Sequence, residues 1–447
     1  MKNKYVYTTL LSTTAVSCLF AAEKEKKETV TPNIVIIYCD DLGYGDIGIT
    51  GHPDIKTPNL DRMATNGIRF TNYYSASPAS TASRYALLTG RYPPRAGFRW
   101  VLNPDSEQGI HPQEVTLAEA LKEKGYATAM FGKWHLGSTK KEYLPLQNGF
   151  DEWVGFPYSN DMLPPKYQDI ALMCGNDTLE LNPDQSFLTE MFTEKATSFI
   201  RENKEKPFFL YVPYSMPHTP LYPGKAFLGK SKRGLYGDAV EEIDWGVGQI
   251  LETLREAGVE KNTIVWFASD NGPWVIQNEK GGSAGLFRDG KGSTWEGGMR
   301  VPCFVSWPGR LAPQINEAIV TSMDIFVTSV YMGGGTVPDD RAIDGENIAS
   351  YLGYTQMPTK EEDTPFFYFG INHQLMAVRK GEWKLHVKTY SQLNIDYYNG
   401  KLPLLFNIYT DPSEKYDLAD KHPEIVRELT LLLEEKKKEV ETTGSWK

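Results

Sequence analysis

The sequence predicts an α/β fold in which a mostly parallel central sheet is covered by helices, followed by a small antiparallel sheet and a helix. Three observations support this fold class. Continuous β-branched and aromatic runs at 33–38, 207–212 and 263–268 are flanked by turn residues, as in strands buried on both faces. Helical patterns separate these runs along the chain. After about residue 335 the pattern changes to short aromatic-rich segments between turns.

The segments between the apolar runs supply the helices of this fold. Apolar residues recur at helical spacing over 187–200, and the segment 238–257 is long and amphipathic, with Gly258 as its stop signal. A shorter helix at 117–122 precedes a predicted strand at 127–131. In folds of this class ligands bind at the carboxyl ends of the strands, so we expect the functional residues there.

The C-terminal part of the chain is predicted to form a separate antiparallel sheet with a terminal helix. The predicted strands are 366–369, 376–379, 382–387 and 405–409, and the helix is 423–440. The change of pattern divides the chain into a large N-terminal domain at 23–335 and a C-terminal subdomain at 336–447.

The first 22 residues have the pattern of a secretory signal peptide. Lys2 and Lys4 precede an apolar stretch at 10–22 that is too short to span a membrane. We therefore expect export, to the periplasm or to the outer membrane. Residues 15–18 also resemble a lipobox, in which Cys18 would carry a lipid anchor. A buried N-terminal helix is the alternative interpretation of this stretch.

The composition restricts the classes of partner. The chain has 447 residues, 40% hydrophobic and 23% charged, which is ordinary for a globular protein. Its formal net charge of -10 argues against a nucleic-acid partner, because phosphate backbones are bound by basic surfaces. A small anionic ligand in a locally positive pocket is compatible with this charge.

Oxygen-bearing side chains follow two of the predicted strands. Asp40 and Asp41 come shortly after the first apolar run, and Asp270 and Asn271 come shortly after the third. Adjacent carboxylates repel each other unless a cation neutralises them. Four oxygen donors suit a hard cation, Ca²⁺ or Mg²⁺, better than zinc. The alternative is that both pairs are turn and capping residues.

Basic side chains complete a candidate site for a tetrahedral oxyanion, sulfate or phosphate. Lys133 and His135 follow a predicted strand, where an extended segment would place them on one face. His218 lies between two prolines, Lys291 lies in a glycine-rich loop, and Arg84 follows a hydroxyl-rich segment. Cationic groups stabilise charge on the oxyanion, and a histidine can protonate the leaving oxygen. A structural role is the alternative for each histidine.

The segment Ser80-Thr81-Ala82-Ser83-Arg84, followed by Leu-Thr-Gly-Arg at 88–91, resembles the signature of the type I sulfatases. The resemblance is to the arylsulfatase A and N-acetylgalactosamine-6-sulfatase kind, and it extends from about residue 31 to 411–412. Other segments similar to the family are 40–46, 57–61, 132–137, 269–272 and 290–298. The resemblance implies an alkaline-phosphatase-like fold and makes the large domain the catalytic one.

The resemblance also implies a modified nucleophile and a metal ion. Ser80 would be converted to formylglycine, whose hydrated aldehyde attacks sulfur with one hydroxyl and releases sulfate with the other. Because residue 80 is serine, where many members of the family have cysteine, the implied maturase is of the bacterial radical-SAM type. One Ca²⁺ would be bound by Asp40, Asp41, Ser80, Asp270 and Asn271.

The remaining candidate residues receive roles by the same resemblance. Arg84 would steady residue 80 and its hydrate. His135, oriented near Lys133, would deprotonate the hydrate for release of sulfate. His218 and Lys291 would grip the sulfate and protonate the leaving alcohol.

The expected substrate is a sulfated carbohydrate from a host or algal glycan. Segments 227–230 and 233–239 resemble the galactosamine-6-sulfatase branch, which favours a galactose or N-acetylgalactosamine sulfate. Candidate sugar contacts, each also compatible with a structural role, are Trp100, Tyr158, Asp161, Trp274 and Tyr390.

Two other functions are compatible with parts of this pattern. A phosphomonoester or phosphonate hydrolase of the same fold would use an unmodified serine or threonine and two metals. A non-catalytic sulfoglycan-binding protein would have lost catalytic residues. The complete signature and the intact catalytic positions favour the sulfatase.

Overall fold

The computed structural model describes residues 31–98, 100–353, 360–361 and 363–443. The predicted signal peptide at 1–22 and the candidate lipidation site Cys18 lie outside these residues. Among the helices that are described, none has the length and apolar character needed to cross a membrane. The described residues from Thr31 onward form one compact unit, and the division at 335/336 stays a prediction.

A ten-stranded sheet forms the centre of the fold. Its strands are β1 (Asn33–Cys39), β2 (Ile68–Tyr74), β3 (Ala127–Phe131), β4 (Glu152–Gly155), β5 (Ala171–Cys174), β6 (Asp177–Leu181), β7 (Phe208–Pro213), β8 (Thr263–Ser269), β9 (Cys303–Ser306) and β10 (Gln314–Thr321). Their order in the sheet is β10-β2-β9-β8-β1-β7-β3-β4-β5-β6. The central run β8-β1-β7-β3-β4 is parallel throughout, while β9, β5 and β6 pair antiparallel with their neighbours. The predicted mostly parallel sheet is confirmed.

Helices cover both faces of this sheet. They are α1 (Pro58–Asn66), α2 (Ser80–Thr89), α3 (Leu117–Lys122), α4 (Leu188–Asn203), α5 (Gly234–Glu256), α6 (Glu296–Met299) and α7 (Ser322–Met332). Ile34 and Ile36 of β1 share one core with residues of α2, α3 and α7. Val35 and Ile37 share the other core with residues of α1, α4 and α5. Because alternate strand residues point to opposite faces, burial on both sides explains why β1 is apolar throughout.

The C-terminal part forms a second, four-stranded antiparallel sheet with a helix, as predicted. Its strands pair in chain order and are β11 (Phe366–Phe369), β12 (Leu375–Lys380), β13 (Trp383–His386) and β14 (Leu404–Asn407). Helix α8 (Pro423–Thr443) packs on this sheet through Leu429 and Leu433. The same core includes Tyr74 of β2 and Ala86 of α2. The small sheet therefore packs close to α2.

Candidate active site

The register of the central strands brings the acidic residues to one edge of the sheet. Cys39, the last residue of β1, is paired with Ser269, the last residue of β8. Asp40 and Asp270 therefore leave the sheet side by side, and the Asp270 N–H donates to the Cys39 carbonyl oxygen at 3.0 Å. The Asp41 N–H donates to Asp270 Oδ1 at 3.1 Å. This edge is the carboxyl end of the parallel strands, where folds of this class bind ligands.

Helix α2 carries Ser80 at its first position and Arg84 one turn later, and both are buried. The Ser80 hydroxyl donates to Asp40 Oδ1 at 3.1 Å. Arg84 Nη2 donates to Asp270 Oδ2 at 2.9 Å and lies 3.4 Å from Asp40 Oδ2, while Nη1 donates to the Lys133 carbonyl oxygen at 3.1 Å. The planar guanidinium thus joins two strand ends to the segment after β3.

Lys133 follows β3 and binds the same carboxylate as Ser80. Its Nζ donates to Asp40 Oδ2 and, at 3.0 Å, to Ser159 Oγ. Its backbone N–H donates to the Pro213 carbonyl oxygen at 2.8 Å, which ties this segment to the end of β7. Burial lowers the pKa of Lys133, and the Asp40 carboxylate opposes that shift. No motif marks Ser159 in the sequence, and only the fold brings it to Lys133.

Lys291 and His218 approach the neighbouring carboxylate, Asp41. Lys291 Nζ donates to Asp41 Oδ2 at 2.8 Å, and His218 Nε2 lies 3.6 Å from the same oxygen. The His218 Nδ1–H donates to the Thr219 carbonyl oxygen at 2.5 Å, so Nε2 faces the carboxylate. The Trp274 ring lies 4.4 Å from Lys291 Nζ and 5.2 Å from the imidazole centroid. One indole therefore supports both basic groups.

The prediction that His135 lies on an extended segment is wrong. Its backbone φ is 63°, in the left-handed region, so Lys133 and His135 do not share the face of a strand. Its Nε2–H donates to the Leu102 carbonyl oxygen at 2.9 Å, and Nδ1 is buried without a partner in the described part of the chain. The Leu102 N–H donates to Thr81 Oγ1 at 3.1 Å, which connects His135 to the helix of residue 80.

The acidic residues fit a hard cation. One ligand atom from each of Asp40, Asp41 and His218 lies within 4.8 Å of the others. The buried Asn271 Oδ1 has no partner among the described residues, while its Nδ2 donates to Asp41 Oδ1 at 2.7 Å. An unpaired carbonyl oxygen beside two carboxylates fits an oxygen-binding cation such as calcium. The predicted ligand Asp270 lies at the edge of this group, and both of its oxygens already accept hydrogen bonds.

The surrounding charges act differently on the ionisable groups. Burial alone would raise the pKa of Asp40, but the nearby basic groups, Lys133 foremost, hold it well below its ordinary range. Burial and the negative charge of Asp40 raise the pKa of Asp270 to about 7. Burial and the charge of Lys133 hold the pKa of His135 well below its ordinary value, so this imidazole is neutral. A bound divalent cation would favour the ionised form of every carboxylate here.

The candidate sugar contacts have different surroundings. Tyr158 is 3% exposed and packs in the core, so its ring has no free face for a sugar and that prediction is wrong. Trp274 is half-buried and lies at the site. Trp100 lines a small cavity that also contacts Ala82 of α2. Asp161 and Tyr390 are half-buried, and their role stays a prediction.

Comparison with known proteins identifies the class of enzyme, a hydrolase of sulfate esters. Residues 32–333 match the sulfatase family, and residues 360–445 match the C-terminal region of aryl-sulfatase. The chain therefore belongs to the sulfatase family, which confirms the resemblance seen in its motifs.

Individual relatives cover most of the chain. The N-acetylgalactosamine-6-sulfatase of Homo sapiens is 40% identical over an alignment of 432 residues, which covers 87% of this chain and 81% of that protein. The arylsulfatase A of Homo sapiens is 35% identical over an alignment of 444 residues, which covers 90% of this chain and 87% of that protein.

A solved structure shows that the similarity extends to the whole fold. The protein is from Bacteroides thetaiotaomicron and was solved in work on the metabolism of multiple glycosaminoglycans. It is 31% identical with a TM-score of 0.80, and the match covers 92% of this chain and 100% of that one. The predicted fold class is confirmed.

Proposed function

We propose that this sulfatase removes sulfate from a galactose or N-acetylgalactosamine sulfate in a host or algal glycan, using formylglycine at residue 80 and one bound calcium ion. The observation that carries the proposal is the hydrogen bond of 3.1 Å between Ser80 and Asp40, within a group of buried cations. The human relative that acts on N-acetylgalactosamine 6-sulfate, by its name, supports the choice of sugar.

Residue 80 and the cation would supply the nucleophile and part of the charge. Asp40, Asp41 and Asn271 would hold the calcium ion, with residue 80 beside them and Asp270 at the edge of the group. When bound, the ion neutralises the carboxylates and stabilises negative charge on the sulfate oxygens. Formylglycine, when formed, supplies a hydrated aldehyde as a nucleophile that is restored after each turnover.

Lys133 and Lys291 would have different partners with a cation bound at the acidic residues. Lys133 Nζ and Lys291 Nζ now bind the carboxylates of Asp40 and Asp41. With Asp40 and Asp41 holding a divalent cation through these oxygens, the two ammonium groups would be available to an incoming sulfate. Arg84 keeps its position, because its contacts to Asp270 and to a backbone carbonyl do not involve the substrate. The site thus exchanges internal ion pairs for contacts to the anion.

The two histidines have opposite proton positions, which suits opposite tasks. His135 holds its proton on Nε2 by the bond to Leu102, so its unpaired Nδ1 is the basic atom. It would accept a proton from a hydroxyl on residue 80. His218 holds its Nδ1–H against Thr219, so its Nε2 is the atom that faces Asp41. Burial and the charge of Lys291 lower the pKa of this imidazole, and the negative charge of Asp41 opposes that shift. As the imidazolium, it would donate the Nε2 proton to the leaving oxygen.

Expression with a radical-SAM-type maturase tests this function. Matured protein should hydrolyse an aryl sulfate far faster than an aryl phosphate, and residue 80 should be about 2 Da lighter than serine. Ser80→Ala should abolish turnover, with a fold and thermal stability close to those of the wild type. Preference for the phosphate would favour a phosphomonoester hydrolase, and full activity with unmodified Ser80 would refute the formylglycine. A panel of sulfated galactose and N-acetylgalactosamine isomers then defines the substrate.

Export is the second part of this proposal. The pattern of residues 1–22, with Cys18 as a candidate lipid anchor, supports delivery to the periplasm or the outer membrane. Cell fractionation of the full chain and of a Cys18→Ala variant tests it. Retention of the wild type in the cytoplasm contradicts export, and equal membrane association of both proteins contradicts the anchor.

A further inference from the structure

The loop between β13 and β14, at 387–403, contacts the part of the site that faces Asp41. Gln392 lies on this loop, and its Oε1 accepts a hydrogen bond from the Trp274 Nε1–H at 2.8 Å. The Trp274 ring is the one that contacts both Lys291 and His218. One glutamine of the C-terminal region therefore orients an indole that touches two basic groups of the site.

Gln392 also packs against the backbone next to Lys291. A Cβ placed on Gly292 would come within 2.5 Å of Gln392 Nε2, and Gly292 has a φ of 87°. Glycine permits both the close approach and the left-handed conformation. The Lys291 N–H donates to the Pro273 carbonyl oxygen at 2.8 Å, and the Gly292 N–H donates to that of Pro78 at 2.9 Å. The glutamine thus contacts the loop where its backbone is already held.

A buried ionic cluster holds residues 294–296, which follow Gly292 in the glycine-rich loop of Lys291. Lys384 Nζ on β13 donates to the Thr294 carbonyl oxygen at 2.9 Å and to Glu296 Oε1 at 2.8 Å. Glu414 Oε2 accepts a hydrogen bond from the Glu296 N–H at 2.7 Å. The side chains of Lys384, Glu296 and Glu414 are all fully buried. The C-terminal region therefore anchors the glycine-rich loop of Lys291 independently of Gln392.

We propose that Gln392 is a positioning residue for sulfate binding, which acts through Trp274 to hold Lys291 and His218 in place around the anion. The inference rests on the proposed sulfatase function. Charged groups that are oriented before the substrate arrives need no rearrangement during the reaction. A half-buried glutamine on a mostly exposed loop outside the sulfatase signature thereby contributes to turnover.

Two substitutions remove the same hydrogen bond from opposite sides. Gln392→Met keeps the length of the side chain without the acceptor, and Trp274→Phe keeps a ring without the N–H. We expect Gln392→Met to lower kcat/KM on an aryl sulfate about tenfold, because misplaced catalytic groups slow the reaction steeply. The double variant should match Trp274→Phe alone, since the bond can be broken only once. Inorganic sulfate, measured by calorimetry in calcium buffer, should bind Gln392→Met about tenfold more weakly.

A matched control separates positioning from stability. Gln314→Met changes a glutamine on β10 whose Nε2 donates to the Tyr351 carbonyl oxygen, and it should retain wild-type turnover and sulfate affinity. Gln392→Met should retain the thermal stability of the wild type. Unchanged kcat/KM and sulfate affinity in Gln392→Met, or additive losses in the double variant, would overturn the inference. If the wild type hydrolyses no sulfate ester, the proposed function alone is wrong. The sulfate affinity of Gln392→Met still tests the role of Gln392 in that case.

Discussion

Ser80 Oγ lies 3.1 Å from Asp40 Oδ1, and this hydrogen bond joins the first residue of α2 to the end of β1. Both side chains are buried. Charges interact strongly where water is excluded, so a carboxylate at this place affects the chemistry of residue 80 directly. Asp40 is also the partner of Lys133, so one carboxylate is shared by the proposed nucleophile position and by a cation proposed to bind sulfate.

Calcium is expected to raise the melting temperature of the protein. An ion that binds only the folded state stabilises it by mass action, by about 2.7 kcal/mol at a free concentration 100-fold above its Kd. Scanning calorimetry with calcium and with a chelator measures the effect. Asp41→Asn should remove most of the response, whereas the exposed Asp54→Asn should keep it. Identical melting temperatures with calcium and chelator would contradict the metal site.

Arg84→Lys should lower kcat by about 100-fold or more, because a lysine cannot reproduce the planar contacts of the guanidinium. Arg84 bridges Asp270, Asp40 and the Lys133 carbonyl oxygen. A single ammonium group would leave part of this buried set unpaired. Steady-state kinetics of the matured variant measure the loss. Arg69→Lys is the control, since the Arg69 side chain donates to the Ile49 carbonyl oxygen away from the site. An equal loss of kcat in Arg69→Lys would contradict the prediction.

Lys384→Met should destabilise the fold by about 3–5 kcal/mol, because it removes the ammonium group that both buried carboxylates contact. Lys384 Nζ contacts both Glu296 and Glu414, and all three side chains are fully buried. Urea unfolding monitored by circular dichroism gives the free energy of unfolding. Lys380→Met removes an exposed pair with Glu428 and should cost less than about 1 kcal/mol. Similar losses in the two variants would show that the buried cluster is not important for stability.

Glu242→Gln should stabilise the protein at neutral and alkaline pH. Burial raises the pKa of Glu242 from 4.5 to about 7, so the folded chain keeps a proton that the unfolded chain releases. The free energy of unfolding therefore falls as the pH rises through the window from 4.5 to about 7. Glutamine carries no such proton and should gain about 1–3 kcal/mol above this window, and nothing below it.

Urea unfolding of wild type and Glu242→Gln at several pH values tests this sign. The neighbouring Glu241, which is less buried, provides the control variant Glu241→Gln. A stability gain in Glu242→Gln that is independent of pH would point to better packing rather than to a buried carboxyl.

Local sequence patterns predicted the secondary structure elements and the strand ends at which the acidic residues lie. The first apolar run is β1, which Asp40 follows, and the third is β8, which Asp270 follows. The acidic residues could therefore be assigned to strand ends from the sequence. The segment after β3 was misjudged, because His135 takes a left-handed conformation that an extended pattern does not reveal. Tyr158 was misjudged because its burial depends on partners far away in the chain.

The sequence alone determined the alternation of strands and helices, the small second sheet and the sulfatase signature at Ser80 and Arg84, because these are written in short-range periodicity and in contiguous motifs. Only the tertiary structure decided that Ser159 reaches Lys133, that His218 shares a carboxylate with Lys291, and that Gln392 supports Trp274. These contacts depend on strand order, register and the path of a distant loop. Such features arise from packing across the whole chain, which local periodicity does not specify.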